Sequence, residues 1–212
     1  MKRIAFRNAR LIDPAAGLDA RGGLLIENGR IADIGPRLFN DAEPHDPEVI
    51  DCRGLVLCPG LIDARVFTGE PGAEHRESLE SASQAAAAGG VTSMVVMPNT
   101  DPVIDEPSLV DFLLRRAAAT ARVRVLPTAA LTRGLLGETM TEIGLLQEAG
   151  AVAFTDGDRS VANARVMRRA MAYAATFNAL VISHAEDPEL VKGASATRSE
   201  EHTSELQSRE TI

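Results

Sequence analysis

Groups able to do polar chemistry stand at or just past the ends of four apolar runs in the chain. One run, Leu61 to Phe67, carries Asp63 and Arg65 and leads into Thr68-Gly69-Glu70-Pro71-Gly72. Val91–Met97 leads into Pro98-Asn99-Thr100, and Ala151–Thr155 into Asp156-Gly157-Asp158. Leu180–His184 ends in an imidazole followed by Ala185-Glu186-Asp187. If these runs are strands of one parallel sheet, an amide, one or two carboxylates and an imidazole converge on one rim. Function collects at the C-terminal ends of parallel strands. Asp156 and a neutral His184 would then be a partial ligand set for Zn²⁺. Spacing alone leaves two readings open. Either the pair holds a metal, or Asp156 caps the following loop and His184 is held by local hydrogen bonds.

The elements that must position these groups follow from hydrophobic pattern. After Pro59-Gly60, apolar β-rich runs alternate with helical ones near Glu77–Ala88, Ser108–Ala121, Thr139–Glu148 and Asn163–Phe177. Nearly continuous apolar strands suit a parallel sheet covered on both faces. Five strands and four helices fit an open doubly wound sheet or the first part of a (β/α)8 barrel. Ser108 with Asp111 three residues on reads as a helix cap. Residues 1–58 read differently, as a β-rich domain of short strands. Asn28-Gly29 between two apolar runs predicts a hairpin, and Asp41–Pro47 reads as a surface loop.

Composition sets limits on partners and compartment. The 212 residues carry a net charge of −8, with 30 Asp+Glu against 22 Lys+Arg. An acidic chain disfavours nucleic acid and anionic membrane surfaces. No apolar run reaches membrane-spanning length, and the N-terminus does not read as a signal peptide. Two cysteines, Cys52 and Cys58, do not make a disulfide scaffold, so the expected compartment is the reducing cytoplasm. The core must be built of Ala, Leu, Val and Ile, because aromatics make up only 3% of the chain.

The strand-end residues resemble those of the dihydroorotases, in the amidohydrolase superfamily of metal-dependent barrels. The resemblance runs from Asn8-Ala-Arg-Leu-Ile-Asp13 through Pro59-Gly-Leu-Ile-Asp63 to His184-Ala-Glu-Asp187, covering essentially residues 1–197. Its specific pieces are Glu70-Pro-Gly72 with Glu74-His75, Ala85-Ala-Ala-Ala-Gly-Gly-Val-Thr92, Met97-Pro-Asn-Thr100 and Phe154-Thr-Asp156. It implies an α/β fold: the N-terminal part of a (β/α)8 TIM-type barrel, about five of eight strands over 59–197, preceded by a small β-sandwich domain. It also implies zinc, and reversible hydrolysis of the cyclic amide of dihydroorotate to carbamoyl aspartate by metal-bound hydroxide. Asn99 matches a substrate-binding Asn, Asp156 a metal-bridging carboxylate and His184 a metal-binding His. His75 matches a motif position that is not a ligand and reads as a partly exposed residue at a helix start.

The chain departs from the family where the metal should be anchored. Dihydroorotases carry His-x-His at the end of strand one, followed two residues later by an Arg for the substrate carboxylate. Arg65 and Phe67 stand in place of those histidines, and Gly69 in place of that Arg. Arginine is a permanent cation without a lone pair to donate, and phenylalanine has none either. The departure implies a hydrolytically inactive member with no catalytic residue in this chain. Some proteins of this kind accompany aspartate carbamoyltransferase as structural subunits in pyrimidine synthesis, and the resemblance implies that role here, with an oligomer expected at full length. The alternative is a genuine zinc-dependent dihydroorotase whose full-length form builds a rearranged site.

From Arg198 the text changes again. Arg198–Ser208 resembles the translation of a common sequencing adapter. The expectation is therefore that residues 198–212 are a disordered, artefactual tail after a truncated domain, and His202 is not counted as a ligand.

Overall fold

The computed structural model describes residues 3–39 and 48–192. The expected loop Asp41–Pro47 and the expected tail 198–212 lie outside these described residues. The chain divides into two compact units, Met1–Gly60 and Leu61–Ile212.

The first unit is a mixed sheet of β1 (Arg3–Asp13), β2 (Leu18–Glu27), β3 (Arg30–Gly35), β4 (Glu48–Asp51) and β5 (Val56–Leu57). The order is β3-β2-β1-β4, with β5 also pairing β1. The described residues thus supply one sheet of the expected sandwich. Asn28 and Gly29 form the two-residue loop between β2 and β3, with φ of 52° and 76°. Both angles are left-handed, as a hairpin turn matched to strand twist requires. A small core of Ala9, Leu11 and Cys52 is packed by Phe6, Leu18 and Leu57. Both cysteines are free thiols.

The second unit alternates strand and helix. It runs β6 (Leu61–Val66), α1 (Leu79–Ala88), β7 (Val91–Val96), α2 (Pro107–Thr120) and β8 (Arg124–Ala129). A 3-10 turn at Arg133–Leu135, α3 (Ile143–Glu148), β9 (Ala153–Phe154) and α4 (Ala164–Thr176) complete it. The four strands are parallel in the order β6-β7-β8-β9. This is a half-barrel sheet with helices packed on it. Met94, Val96, Val125 and Phe154 from the strands meet Leu79, Val110, Leu113, Ile143, Leu146 and Ala170 from the helices in one core. Ala170 and Ala174 of α4 are both buried in that core.

Two local expectations differ from the structure. The expected strand Leu180–His184 shrinks to an isolated parallel bridge between Phe154 and Val181. It rests on Phe154 N–H donating to Leu180 O and Ile182 N–H donating to Phe154 O, both at 2.9 Å. Among the described residues it has no strand on its far side, so half of its ladder is unmade. The second difference is at α2, which starts at Pro107 with Glu106 as N-cap, not Ser108. Proline at the first helical position wins because its fixed φ suits the helix and its missing N–H costs nothing there. Asp111 instead pairs with Arg115, one turn on, at 2.8 Å. No described helix is long and apolar enough to cross a membrane.

Candidate functional site

The site begins at the end of β6. Val66 packs against the helix-side core, so its neighbours in the pleat, Arg65 and Phe67, present to the opposite side. Arg65 is exposed, and its backbone N–H donates to Asp63 Oδ1 at 3.1 Å. Phe67 is 38% exposed. The Arg76 guanidinium carbon lies 5.8 Å from its ring centroid, within cation–π range.

Beyond Phe67 the chain folds into a tight loop. Gly69 is buried with φ of +66°. A Cβ there would come within 2.7 Å of both Ala73 O and Glu77 O. The position therefore requires glycine twice, for its backbone angle and for space. Glu70, only 3% exposed, explains the loop's shape. Its Oε2 accepts the Leu79 N–H at the start of α1 at 2.9 Å, and its Oε1 accepts Arg116 Nε of α2 at 2.6 Å. Glu70 thus ties the end of β6 to two helices. Sequence reasoning missed this role; a carboxylate beside Pro-Gly nine residues before a helix start is too weak a signal. His75 is exposed in a turn, four residues ahead of α1 instead of at its start. Ser78 is the N-cap, and its side chain and that of Ser81 make a reciprocal capping box.

Asn99 follows β7 and is half-buried. Its Oδ1 is buried with no hydrogen-bond partner among the described residues. It lines a cavity of about 270 Å³ with Thr100, Gly134, Leu135, Asp158 and Arg159. Arg159 reaches Leu135 O with one Nη1 contact, at 3.5 Å.

Asp156 follows β9 and is 3% exposed. Its Oδ1 accepts the Thr132 N–H at 2.8 Å, and its Oδ2 accepts a short bond from the Thr132 hydroxyl. The same hydroxyl accepts Gly137 N–H at 2.9 Å. Burial pushes the Asp156 carboxyl above the ordinary carboxylate range; the Thr132 bonds, then Leu131 N–H and the Arg159 charge, oppose that shift without cancelling it. The Asp156 side chain therefore organises the loop after β8, which precedes it in the chain, instead of the loop that follows it. Thr132 lies 24 residues from Asp156, a pairing with no local sequence signal. His184 is partly exposed, with Nε2 3.2 Å from Glu186 Oε2.

The structure thus places Asn99 and Arg159 on one cavity and engages Asp156 and His184 with separate local partners. Among the described residues, no group of three or more His, Cys, Asp or Glu side chains could hold a metal ion together. Of the four positions to which the resemblance assigns metal binding, two have donor atoms, Asp156 and His184. Arg65 and Phe67 have none. Among the described residues, the side chains at these four positions do not by themselves make up a zinc ligand set.

Comparison with known proteins completes the picture. Dihydroorotases of Syntrophotalea carbinolica and Solibacter usitatus are 42% and 44% identical to this chain over 189 and 190 residues. A dihydroorotase of Wolbachia sp. subsp. Drosophila simulans is 47% identical over 191 residues, covering 90% of this chain and 42% of that relative. The first of these is covered over 89% of this chain and 44% of its own length. The chain therefore spans under half the length of the curated relatives it matches. In fold it is similar to the L-hydantoinase of Arthrobacter aurescens, with a TM-score of 0.74 at 22% identity over 92% of this chain and 45% of that one. A D-hydantoinase gives a TM-score of 0.70 at 22% identity, covering 90% of this chain and 42% of that one. A family model described as dihydro-orotase-like matches residues 54–207. With its parallel half-barrel and these relatives, the chain belongs to the dihydro-orotase-like family.

Proposed function

We propose that this chain is part of a dihydroorotase-like protein that does not hydrolyse dihydroorotate. Its work is structural, as an assembly partner of aspartate carbamoyltransferase in the cytoplasm. One observation carries the reading: the strand-end positions where the family places two imidazoles hold Arg65 and Phe67, both exposed on the side of β6 away from the core. A fixed positive charge there repels a divalent cation, and the ring offers it nothing. The Gly69 loop supports the same reading, because its backbone closes on a residue without a side chain. Nothing is then left at that position to grip a substrate carboxylate.

The test uses the full-length protein. Purified without chelator, it is expected to hold well under one zinc per chain and to show no dihydroorotate turnover. Mixed with aspartate carbamoyltransferase from the same organism, it is expected to co-elute in size exclusion. Turnover at an ordinary enzyme rate, on the order of 1–10³ per second, with activity lost on chelation, would replace this reading by that of a zinc-dependent dihydroorotase. That second reading draws on the retained Asn99, Asp156 and His184.

A further inference from the structure

A cavity of about 630 Å³ opens between the loop after β8 and the first turns of α4. It shares no lining residue with the Asn99 cavity. Three arginines line it: Arg133 from the loop, and Arg165 and Arg169 from α4. The latter two are one turn apart on a single helix face, where like charges repel. No hydrogen bond or ion pair engages any of the three guanidinium groups among the described residues. Arg10, Arg53 and Arg116, by contrast, are paired with Asp19, Asp51 and Glu70. Three exposed guanidiniums without a protein partner among the described residues thus border one concavity, in a chain of net charge −8.

The walls are held in place without a ligand. Thr132 bridges Met140 across the loop. Arg133 N–H donates to Thr139 O at 2.8 Å, and Gly134 N–H to Asp105 Oδ2 at 2.9 Å. Asn163 caps α4 by accepting from the backbone of Arg165 and Val166. Binding there need not first order the backbone, which preserves affinity. Glu138 and Glu142 also line the cavity, so its charge is mixed. Their presence disfavours an extended polyanion such as a nucleic-acid strand and leaves acceptors for N–H groups of a compact ligand.

We propose that this cavity binds a small molecule bearing a compact oxyanion, phosphate or carboxylate, through Arg133, Arg165 and Arg169. The guanidinium fork matches both oxyanions with paired hydrogen bonds. This assignment is independent of whether the protein hydrolyses dihydroorotate. Its test is calorimetric titration of the full-length protein with inorganic phosphate and, separately, succinate, at constant ionic strength against a KCl control. Saturable one-site binding of at least one probe is expected, and which probe binds identifies the oxyanion. Arg165→Ala with Arg169→Ala should weaken that binding at least about tenfold. Replacing the same pair by Lys should recover only part of the loss, since charge remains but the fork does not. Glu138→Gln should not weaken it. The proposal is overturned if neither probe gives more heat than KCl, or if the double Ala variant binds as tightly as the parent. Arg133→Ala carries the same comparison should the double variant fail to fold by circular dichroism.

Discussion

Arg65 and Phe67 are two residues apart on one strand end, so imidazoles placed there would point the same way. In the full-length protein, Arg65→His with Phe67→His is expected to raise bound zinc towards one per chain, read by elemental analysis. An unchanged metal content would show that the loss lies elsewhere. Glu70 is the opposite case, a residue whose role is mechanical. Glu70→Ala removes the acceptor for Leu79 N–H and the partner of Arg116, and is expected to cost about 1–3 kcal/mol in a denaturant melt. The lower part of that range applies, because the Arg116 side chain is 43% exposed and can be solvated when unpaired. Asp156 gives a pH test in the metal-free protein. Its folded-state carboxyl titrates above its unfolded one, so the native state holds the proton more tightly. The stability this contributes is present below the ordinary carboxylate range, near pH 3.9, and is lost as pH rises through the elevated value. The stability of Asp156→Asn relative to the parent should therefore increase with pH above about 4, and a constant difference would refute the buried, uncompensated carboxylate. The positions of Asn99 and Asp156 just past β7 and β9 were legible in the sequence because strand ends are marked by where apolar runs stop. Their partners were not: Thr132 lies 24 residues from Asp156, and Arg116 lies 46 from Glu70. No periodicity records such distances.

At the scale of elements, the alternation of apolar runs with amphipathic stretches located β6 to β9 and α1 to α4, since each element's face is set by its own pattern. What the pattern missed was decided by neighbours. The Leu180–His184 run is apolar enough for a strand, yet a strand exists only as far as another pairs with it. Ile182 N–H, bonded across that isolated bridge, should exchange with deuterium faster than amides in the centre of β7. Equal protection would mean that the fifth strand is better formed than a bridge. The start of α1 shows a device the sequence displays only in hindsight, the Ser78–Ser81 capping box. Ser78→Ala should lower stability by about 1 kcal/mol.

At the scale of the whole molecule, the chain spans under half of its relatives' length, and the second unit carries exposed apolar side chains beside its sheet edges. Leu61 and Ile62 on β6, and Leu180 beside the bridge to β9, are 57%, 65% and 61% exposed. Unpaired strand edges beside such residues template association. Expressed alone, the 212-residue chain is expected to aggregate or to elute as large species in size exclusion. A monodisperse monomer with a sharp cooperative melt would contradict this.

The tight backbone at Gly69 bears on the direction in which such a protein can change. With two carbonyl oxygens 2.7 Å from where a side chain would start, an arginine there must first displace the segment from Ala73 to Glu77. That segment runs into the Ser78 cap of α1. Exchanging two side chains on β6 is a local event; reopening this loop is not. Under the proposed function, regaining a carboxylate-gripping arginine at this position therefore takes more than one substitution, because the loop as well as the side chain must change.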